Sequence, residues 1–290
     1  MDLQALKIFK IVAGKGSISQ AARELNYAQS NISTKIQQLE SDLQTSLFYR
    51  HNRGITLTAK GQMLLAYTEK IFHLIDETTK VMKDDGIPKG PLCIGAMETT
   101  AAVYLPKLLS KYHNDYPNVD LTLKTETTEQ NIQEALQYNI DGAFVAGPIN
   151  HPELIQKPVT EEKLVLITDT MHSSMSSIRD IQTRTLLVFP NGCSYRMILE
   201  QWLHKEGLIP NKTIEFDTIE AIIGCVCAGL GISLLPISVV EKYVQAGILR
   251  CHSIENTYTK VPTVFIYRKD RFMSTSLIKF IDMFSNKENF

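Results

Sequence analysis

At 290 residues and 44% apolar composition the chain is long enough for two well-packed domains, and no stretch has the low complexity of a disordered or fibrous protein. The start MDLQALKIFKIVAGKG lacks the form of a signal peptide and no apolar run reaches roughly 18 residues, so a cytoplasmic protein with no membrane contact is expected. The net charge of −1 hides an asymmetry: residues 1–57 hold seven Lys/Arg against four acids, a net of +3 that leaves −4 for the rest, which permits a polyanionic partner without demanding one.

Leu3, Leu6, Phe9, Ile11 and Val12 recur at near-helical spacing before Gly14 and Gly16, so the pattern predicts a helix over 3–13. Ser17 caps a second helix with Ile18, Ala21, Ala22 and Leu25 on one stripe. Asn26-Tyr27-Ala28 breaks the pattern before a third, with Ile32, Ile36, Leu39 and Leu43. Three short helices with a tight turn between the last two form a helix-turn-helix candidate. The stretch YRHNRGITLT follows as a β-hairpin turning at Arg53-Gly54, the shape of a wing. From Thr58, a good N-cap, a proline-free run predicts a helix of roughly 28 residues, about 42 Å long. Its stripe of Leu64, Ile71, Leu74, Ile75, Val81 and Met82 is more than a three-helix domain covers. A homodimer paired through this helix is therefore expected, with packing against its own chain as the alternative.

From Gly90 the rhythm changes. GPLCIGAM, VDLTLKTE, GAFVAGP, KLVLITD, TLLVFP, TIEF, GISLLP and TVFIYR read as strands, alternating with helices near 101–115, 128–139, 195–206, 219–229, 238–246 and 276–285. Such alternation predicts crossovers and mainly parallel sheets. The strands fall into two groups around 148–162, where Pro148, Pro152 and Pro158 favour a passage between two lobes. The expected organisation is a DNA-binding-like head over 1–58, a linker helix over 59–87, and an α/β region over 88–290. Lobe I takes about 90–161 and 266–290, and lobe II about 162–265. Two facing lobes make a cleft beyond the carboxyl ends of their strands.

The stretch GSISQAARELNYAQSNISTKIQQLESDLQTSLFYRHNRGITLTAKGQ resembles the N-terminal domain of LysR-type bacterial transcription regulators. YLPKLLSKYHNDYPNVDLTL, IDGAFVAG, NGCSYRMILEQWL and CAGLGISLLP resemble the effector-binding domain of the same family, in order and over nearly the whole chain. The resemblance implies an α+β multidomain protein: a winged helix-turn-helix, a long linker helix, and a two-lobed α/β effector domain like that of periplasmic binding proteins. It implies double-stranded promoter DNA and a small-molecule effector as partners, a homodimer with a homotetramer as the larger assembly, and no enzymatic activity.

The residue types suit DNA. The start of a recognition helix enters the major groove, where Gln29 is long enough to pair with an adenine edge in two places. Ser30, Asn31, Ser33 and Thr34 are shorter and suit phosphates or methyl groups, and Lys35 adds a phosphate charge. In the family the positions of Gln29, Ser33 and Lys35 are usual DNA contacts. Arg50 and Arg53 flank the wing and suit the backbone or a narrow minor groove. One departure stands out: the family commonly begins this helix with Ser-Gln-Pro, and here the residues are Ala28-Gln29-Ser30. Ala is a poor N-cap, weaker than Ser by on the order of 1 kcal/mol. Either Ser30 or Asn26 takes over capping, or the end frays until DNA orders it.

In the α/β region Thr99 and Thr100 follow the first strand, Thr127 and Thr128 the second, and Cys193, Ser194 and Arg196 open a helix in the other lobe. Hydroxyls and free N–H groups at helix starts form an anion site without a metal, so a small carboxylate is the expected effector; each hydroxyl serving only as an N-cap is the alternative. The resemblance implies the same place, between the lobes, and Ala146-Gly147-Pro148 reads as the hinge. Neither a metal nor a cofactor is expected, because the seven histidines show no ligand spacing and no Gly-rich phosphate loop or nucleophile elbow occurs. The five cysteines (Cys93, Cys193, Cys225, Cys227, Cys251) are odd in number and scattered, as reduced buried thiols are. Cys193, at a helix start expected to lower its pKa, raises a redox sensor as one alternative function; a solute-binding module is the other.

Overall fold

The computed structural model describes residues 1–51, 54–172, 178–254 and 256–285. The chain forms two compact units, Met1–Lys83 and Asp84–Phe290.

The first unit opens with α1 (Leu3–Lys15), whose Ala5 N–H donates to the Asp2 carboxylate at 2.7 Å and whose end turns on left-handed Gly16. Helix α2 (Ile18–Leu25) is capped by Ser17 and closed by Asn26 at φ 56°, and α3 (Gln29–Asp42) follows. Phe9, Val12, Ala21, Ile32, Ile36, Leu39 and Leu47 fill the centre. Strands β1 (Phe48–His51) and β2 (Gly54–Leu57) pair antiparallel as the expected hairpin. The hairpin is fastened at both ends: the Glu40 carboxylate accepts the Leu47 and Phe48 N–H groups, and Ile55 N–H donates to the Gly16 carbonyl at 3.0 Å. Thr58 then caps α4 (Ala59–Lys83) by accepting Gly61 N–H at 3.0 Å. The helix is 25 residues long, shorter than expected. It stops before 87 because the next residue, Asp84, accepts N–H groups from Gly86 and Thr275 instead of continuing the turn. Met63, Tyr67, Leu74 and Met82 along α4 are more than half exposed in the single chain.

In the second unit, β3 (Gly90–Ala96), α5 (Glu98–Val103), α6 (Leu105–Asp115), β4 (Val119–Thr125), α7 (Thr128–Leu136) and β5 (Gly142–Ala146) build lobe I. Strand β6 (Leu154–Asp169) leads into lobe II, which holds a 3-10 turn over 178–183, β7 (Thr185–Val188), α8 (Ser194–Lys205), β8 (Lys212–Glu215), α9 (Ile219–Cys227), β9 (Ser233–Pro236), α10 (Ile237–Gln245) and β10 (Leu249–His252). A short α11 (Asn256–Thr259) precedes β11 (Lys260–Arg268) and α12 (Thr275–Ser285), which return to lobe I. Each lobe has its own core. Phe144, Phe265, Phe280 and Phe284 cluster in lobe I, with Phe144 and Phe265 centred 4.9 Å apart; Leu164, Leu187, Leu199, Trp202 and Val226 fill lobe II.

The sheet is mixed rather than mainly parallel, in the order β10-β6-β11-β5-β3-β4 with β9 also on β6. The parallel pairs are those closed by helices, β3 with β4 and β5, and β7 with β8. Strand β6 runs antiparallel to all its partners: Leu154–Lys163 pairs with β11 and Leu164–Asp169 with β9 and β10. It thus begins inside the stretch expected to be a bare passage. Pro158 is tolerated there because a bulge beside it, opposite Thr263 and Val264, breaks the ladder where an N–H is missing. Strand β11 pairs with β6 from Lys260 and with β5 of lobe I from Thr263, ahead of the return expected at 266, while Val261 still packs in the lobe II core. Glu162 lies 2% exposed beside the crossing, with Ser238 of α10 donating to its Oε2 at 2.9 Å. Burial pushes its carboxyl up, against the pull of the Ser238 and Tyr104 hydroxyls.

Two predictions follow from these packings. A Cβ at Gly61 would run into the Leu47 carbonyl oxygen and Leu57 Cδ2. Gly61→Ala should therefore lower stability by about 1–3 kcal/mol in urea melts, overriding the roughly 1 kcal/mol that Ala normally adds to a helix. For Glu162, the native state holds a proton that the unfolded chain has released, so stability falls as pH rises from the ordinary carboxylate pKa through the raised native one. Glu162→Gln should leave the melting temperature unchanged at pH 4 and raise it at pH 8, by about 2–4 °C for a gain of about 1 kcal/mol.

Candidate DNA interface and effector cleft

Helix α3 buries Ile32, Ile36 and Leu39, which turns Gln29, Ser30, Asn31, Thr34 and Lys35 into solvent and leaves Ser33 half-buried. Residues four apart share a face, so Gln29 aligns with Ser33, and Asn31 with Lys35. Neither expected substitute caps the helix. Asn26 is held in the left-handed turn that ends α2, and Ala28 leaves α3 with no side-chain cap although it is helical from Gln29. What holds the start is a bond from α2: Ser19 Oγ donates to Gln29 Oε1 at 3.0 Å. Arg50 is exposed on β1 opposite Ile55, and Arg53 lies outside the described residues.

In the second unit, the turns after β3, β4, β7 and β8 meet around a cavity of about 420 Å³. Lobe I supplies Met97, Glu98, Thr99, Glu126, Thr127, Thr128 and Gln130; lobe II supplies Phe189, Pro190, Cys193, Ser194, Tyr195, Asp217 and Thr218. Helices α7, α8 and α9 all begin at its wall. Thr127 and Gln130 form a reciprocal capping box on α7, Thr218 caps α9 through Ala221 N–H, and α8 starts at Cys193 with no side-chain cap. Thr128 Oγ1 accepts Ala146 N–H at 3.3 Å, and Thr99 Oγ1 meets the Tyr195 hydroxyl across the lobes at 3.1 Å.

Of the seven residues singled out in sequence, Thr99, Thr128, Cys193 and Ser194 line the cavity, and Thr100, Gly147 and Arg196 do not. Thr100 is fully buried one position further into α5. Gly147 donates its N–H to Pro262 and faces Val264. The Arg196 guanidinium turns outward to Glu200 at 2.8 Å, Glu215 at 2.6 Å and the Phe189 carbonyl at 3.1 Å, and the two carboxylates, Glu200 first, hold its pKa up against burial. Cys193 also departs from expectation. Burial pushes its thiol up, although the N–H groups of Arg196 and Tyr195 pull the other way, and a protonated thiol is a poor nucleophile.

Sequence reasoning missed the fourth turn, Asp217-Thr218, although the flanking strand and helix were both legible and Asp-Thr before an apolar run is an N-cap signal. It also missed the electrostatics. Among the described residues, Glu98, Glu126 and Asp217 line the cavity and no Lys or Arg does. Burial raises the Glu98 pKa and Glu220 adds to the effect, while the Ile219 N–H opposes it.

Comparison with known proteins gives this geometry its context. Residues 3–62 match the family described as "Bacterial regulatory helix-turn-helix protein, lysR family", and residues 85–288 match "LysR substrate binding domain". Similar proteins include the HTH-type transcriptional regulator GltR of Bacillus subtilis, 55% identical over 97% of this chain and 95% of its own length. Another is the HTH-type transcriptional regulator CzcR of Bacillus thuringiensis, 47% identical over 97% and 96%. Among solved structures, CbnR, a LysR family transcriptional regulator, shares the fold with a TM-score of 0.69 at 23% identity, covering 100% of both chains. Two matched regions in sequence order and relatives at this identity establish that the chain belongs to the LysR family of DNA-binding bacterial transcription regulators.

Proposed function

We propose that this regulator acts in the cytoplasm as a homodimer, or a pair of dimers, whose cleft senses a small carboxylate. The carrying observation is the convergence of three helix starts, α7, α8 and α9, on one cavity between two lobes. Helix starts present N–H groups and positive dipole ends, which suit an anion. Because no basic side chain lines the cavity and three carboxylates do, the arrangement favours a ligand with one carboxylate and little further negative charge. Gly147, Thr100 and Arg196 then serve the lobes' architecture rather than ligand contact. The exposed apolar residues of α4 favour dimerisation through that helix. CbnR has been solved in complex with its target DNA. The proposed interface of this chain is the exposed start of α3, with Gln29 reading a base edge and Ser30, Asn31, Ser33, Thr34, Lys35 and Arg50 meeting the backbone; Arg53, outside the described residues, joins them on its sequence position beside the wing alone.

Mobility-shift assays with the region upstream of the protein's own gene test the DNA half. Gln29→Ala should cost about 1–3 kcal/mol of discrimination against scrambled DNA while leaving non-specific affinity intact. Lys35→Ala should weaken both equally and reduce the salt slope by about 1. Equal preference of the wild type for operator and scrambled DNA would count against the reading. For the cleft, a thermal-shift screen of the full chain against monocarboxylic acids should find a stabilising ligand, worth about 2.7 kcal/mol at a hundredfold excess over Kd. Gly192→Ala should abolish that shift, since Gly192 sits at φ +89° and a Cβ there would lie 2.9 Å from Glu129 Oε2 across the lobes.

A further inference from the structure

Glu98 is the first residue of α5 in lobe I, yet its carboxylate is engaged by lobe II. Its Oε1 accepts the backbone N–H of Ile219, the first residue of α9, at 3.0 Å across 121 positions of sequence. Thr218 already satisfies Ala221 N–H, so Glu98 supplies the second acceptor that the amino end of α9 needs. Two other polar contacts join the lobes at or beside the cavity: Thr99 Oγ1 with the Tyr195 hydroxyl at 3.1 Å, and Glu129 N–H to the Gly192 carbonyl at 3.4 Å. Both are between non-ionisable or neutral groups, so Glu98 is the ionisable member of the set. Charge-assisted bonds to backbone N–H groups at helix starts are the stronger kind.

Among the described residues nothing basic lines the cavity to compensate this carboxylate, and Glu220 of α9, which meets it through a side-chain hydrogen bond, is another acid. Its attachment to lobe II therefore rests on the N–H and dipole of α9, the same features that would receive an anion from solution. We propose that Glu98 is an internal latch: a resident carboxylate that occupies the amino end of α9, draws the two lobes together while the cleft is empty, and must be displaced by an effector carboxylate that takes that seat. The inference rests on the cleft being the effector site. It deepens that reading by making effector binding an exchange of one carboxylate for another. An intramolecular competitor on a short tether acts at an effective concentration in the millimolar range or above, so the latch sets a threshold that weak carboxylates fail to cross. It also places a freed Glu98 beside the bound effector, where a second negative charge on the ligand would be repelled.

Hydrogen exchange read by mass spectrometry on the ligand-free full chain tests the latch directly. Glu98→Ala should speed exchange about tenfold, the shift expected from one lost charge-assisted bond, at three separated places: residues 127–131, 192–197 and 217–222. Glu98→Gln, which keeps an acceptor oxygen but no charge, should fall between the two. Faster exchange confined to 217–222 would reduce Glu98 to an ordinary cap of α9 and overturn the proposal, as would no change. Displacement is read with acetate as the probe against a chloride control of equal ionic strength. Acetate should stabilise Glu98→Ala more than the wild type in thermal melts; equal or smaller stabilisation overturns the exchange. Wild-type binding to operator DNA is measured separately, so a failure there sinks the regulator reading and leaves the exchange pattern to decide the latch.

Discussion

The second unit depends on one strand, β6, and the backbone hydrogen bonds along its two edges. Its first ten residues are bonded to β11 in lobe I and its last six to β9 and β10 in lobe II, so a single strand belongs to both cores. Because the strand is shared, its backbone fixes how one lobe follows the other. The carboxyl ends of β3 and β4 consequently face those of β7 and β8, and the four turns that leave those strands have nowhere to go but the shared cavity. Ligand sites at such positions follow from topology before any side chain is chosen.

Topology leaves the charge of the site open, and here local chemistry decides. The cavity wall gathers three carboxylates and no cation, against three helix starts. Each helix end offers about half a positive charge, so the three starts offset only about half of the carboxylate charge and the wall stays net negative, which penalises each further negative charge on a ligand. Arg196 would have tipped that balance had it pointed inward. Glu200, four residues along the same helix, and Glu215, on the neighbouring strand, take it instead. Cys193 is likewise held neutral by burial, which makes it a wall rather than a reagent.

These two residues show where sequence reading stops. Elements set by local patterns were legible: the caps at Ser17, Thr58 and Thr127, the turn at Asn26, and the apolar stripes of α1, α3 and α9 agree with the structure within a residue or two. The four cavity residues found in sequence were found because a strand followed by a hydroxyl and a helix places that hydroxyl at the sheet's edge. What escaped was set by partners far along the chain. The direction of Arg196 depends on Glu215, nineteen residues on, and the engagement of Glu98 on an amide 121 residues away. The early start of β6 was hidden because Pro158 reads as a breaker unless the bulge opposite it is known. Strand β10, four residues with one apolar side chain fully buried, has too weak a pattern to announce itself.

The amino end of α3 poses the same question as the cleft, in the other unit. Family sequences commonly put a cap and a proline there; this chain has Ala28, Gln29 and Ser30, and the helix nevertheless begins at Gln29. Ser19 steadies the Gln29 side chain from α2, but it satisfies none of the backbone N–H groups that an uncapped start leaves open. Water satisfies them in the free protein at no great cost, since every residue from Asn26 to Asn31 is exposed. In the proposed complex a DNA phosphate at this end would supply the acceptor that Ala28 lacks, and would do so beside the side chain expected to read the base. On that reasoning the missing cap weakens the isolated helix and strengthens its docking, because the N–H groups have a better partner on DNA than in the folded chain alone.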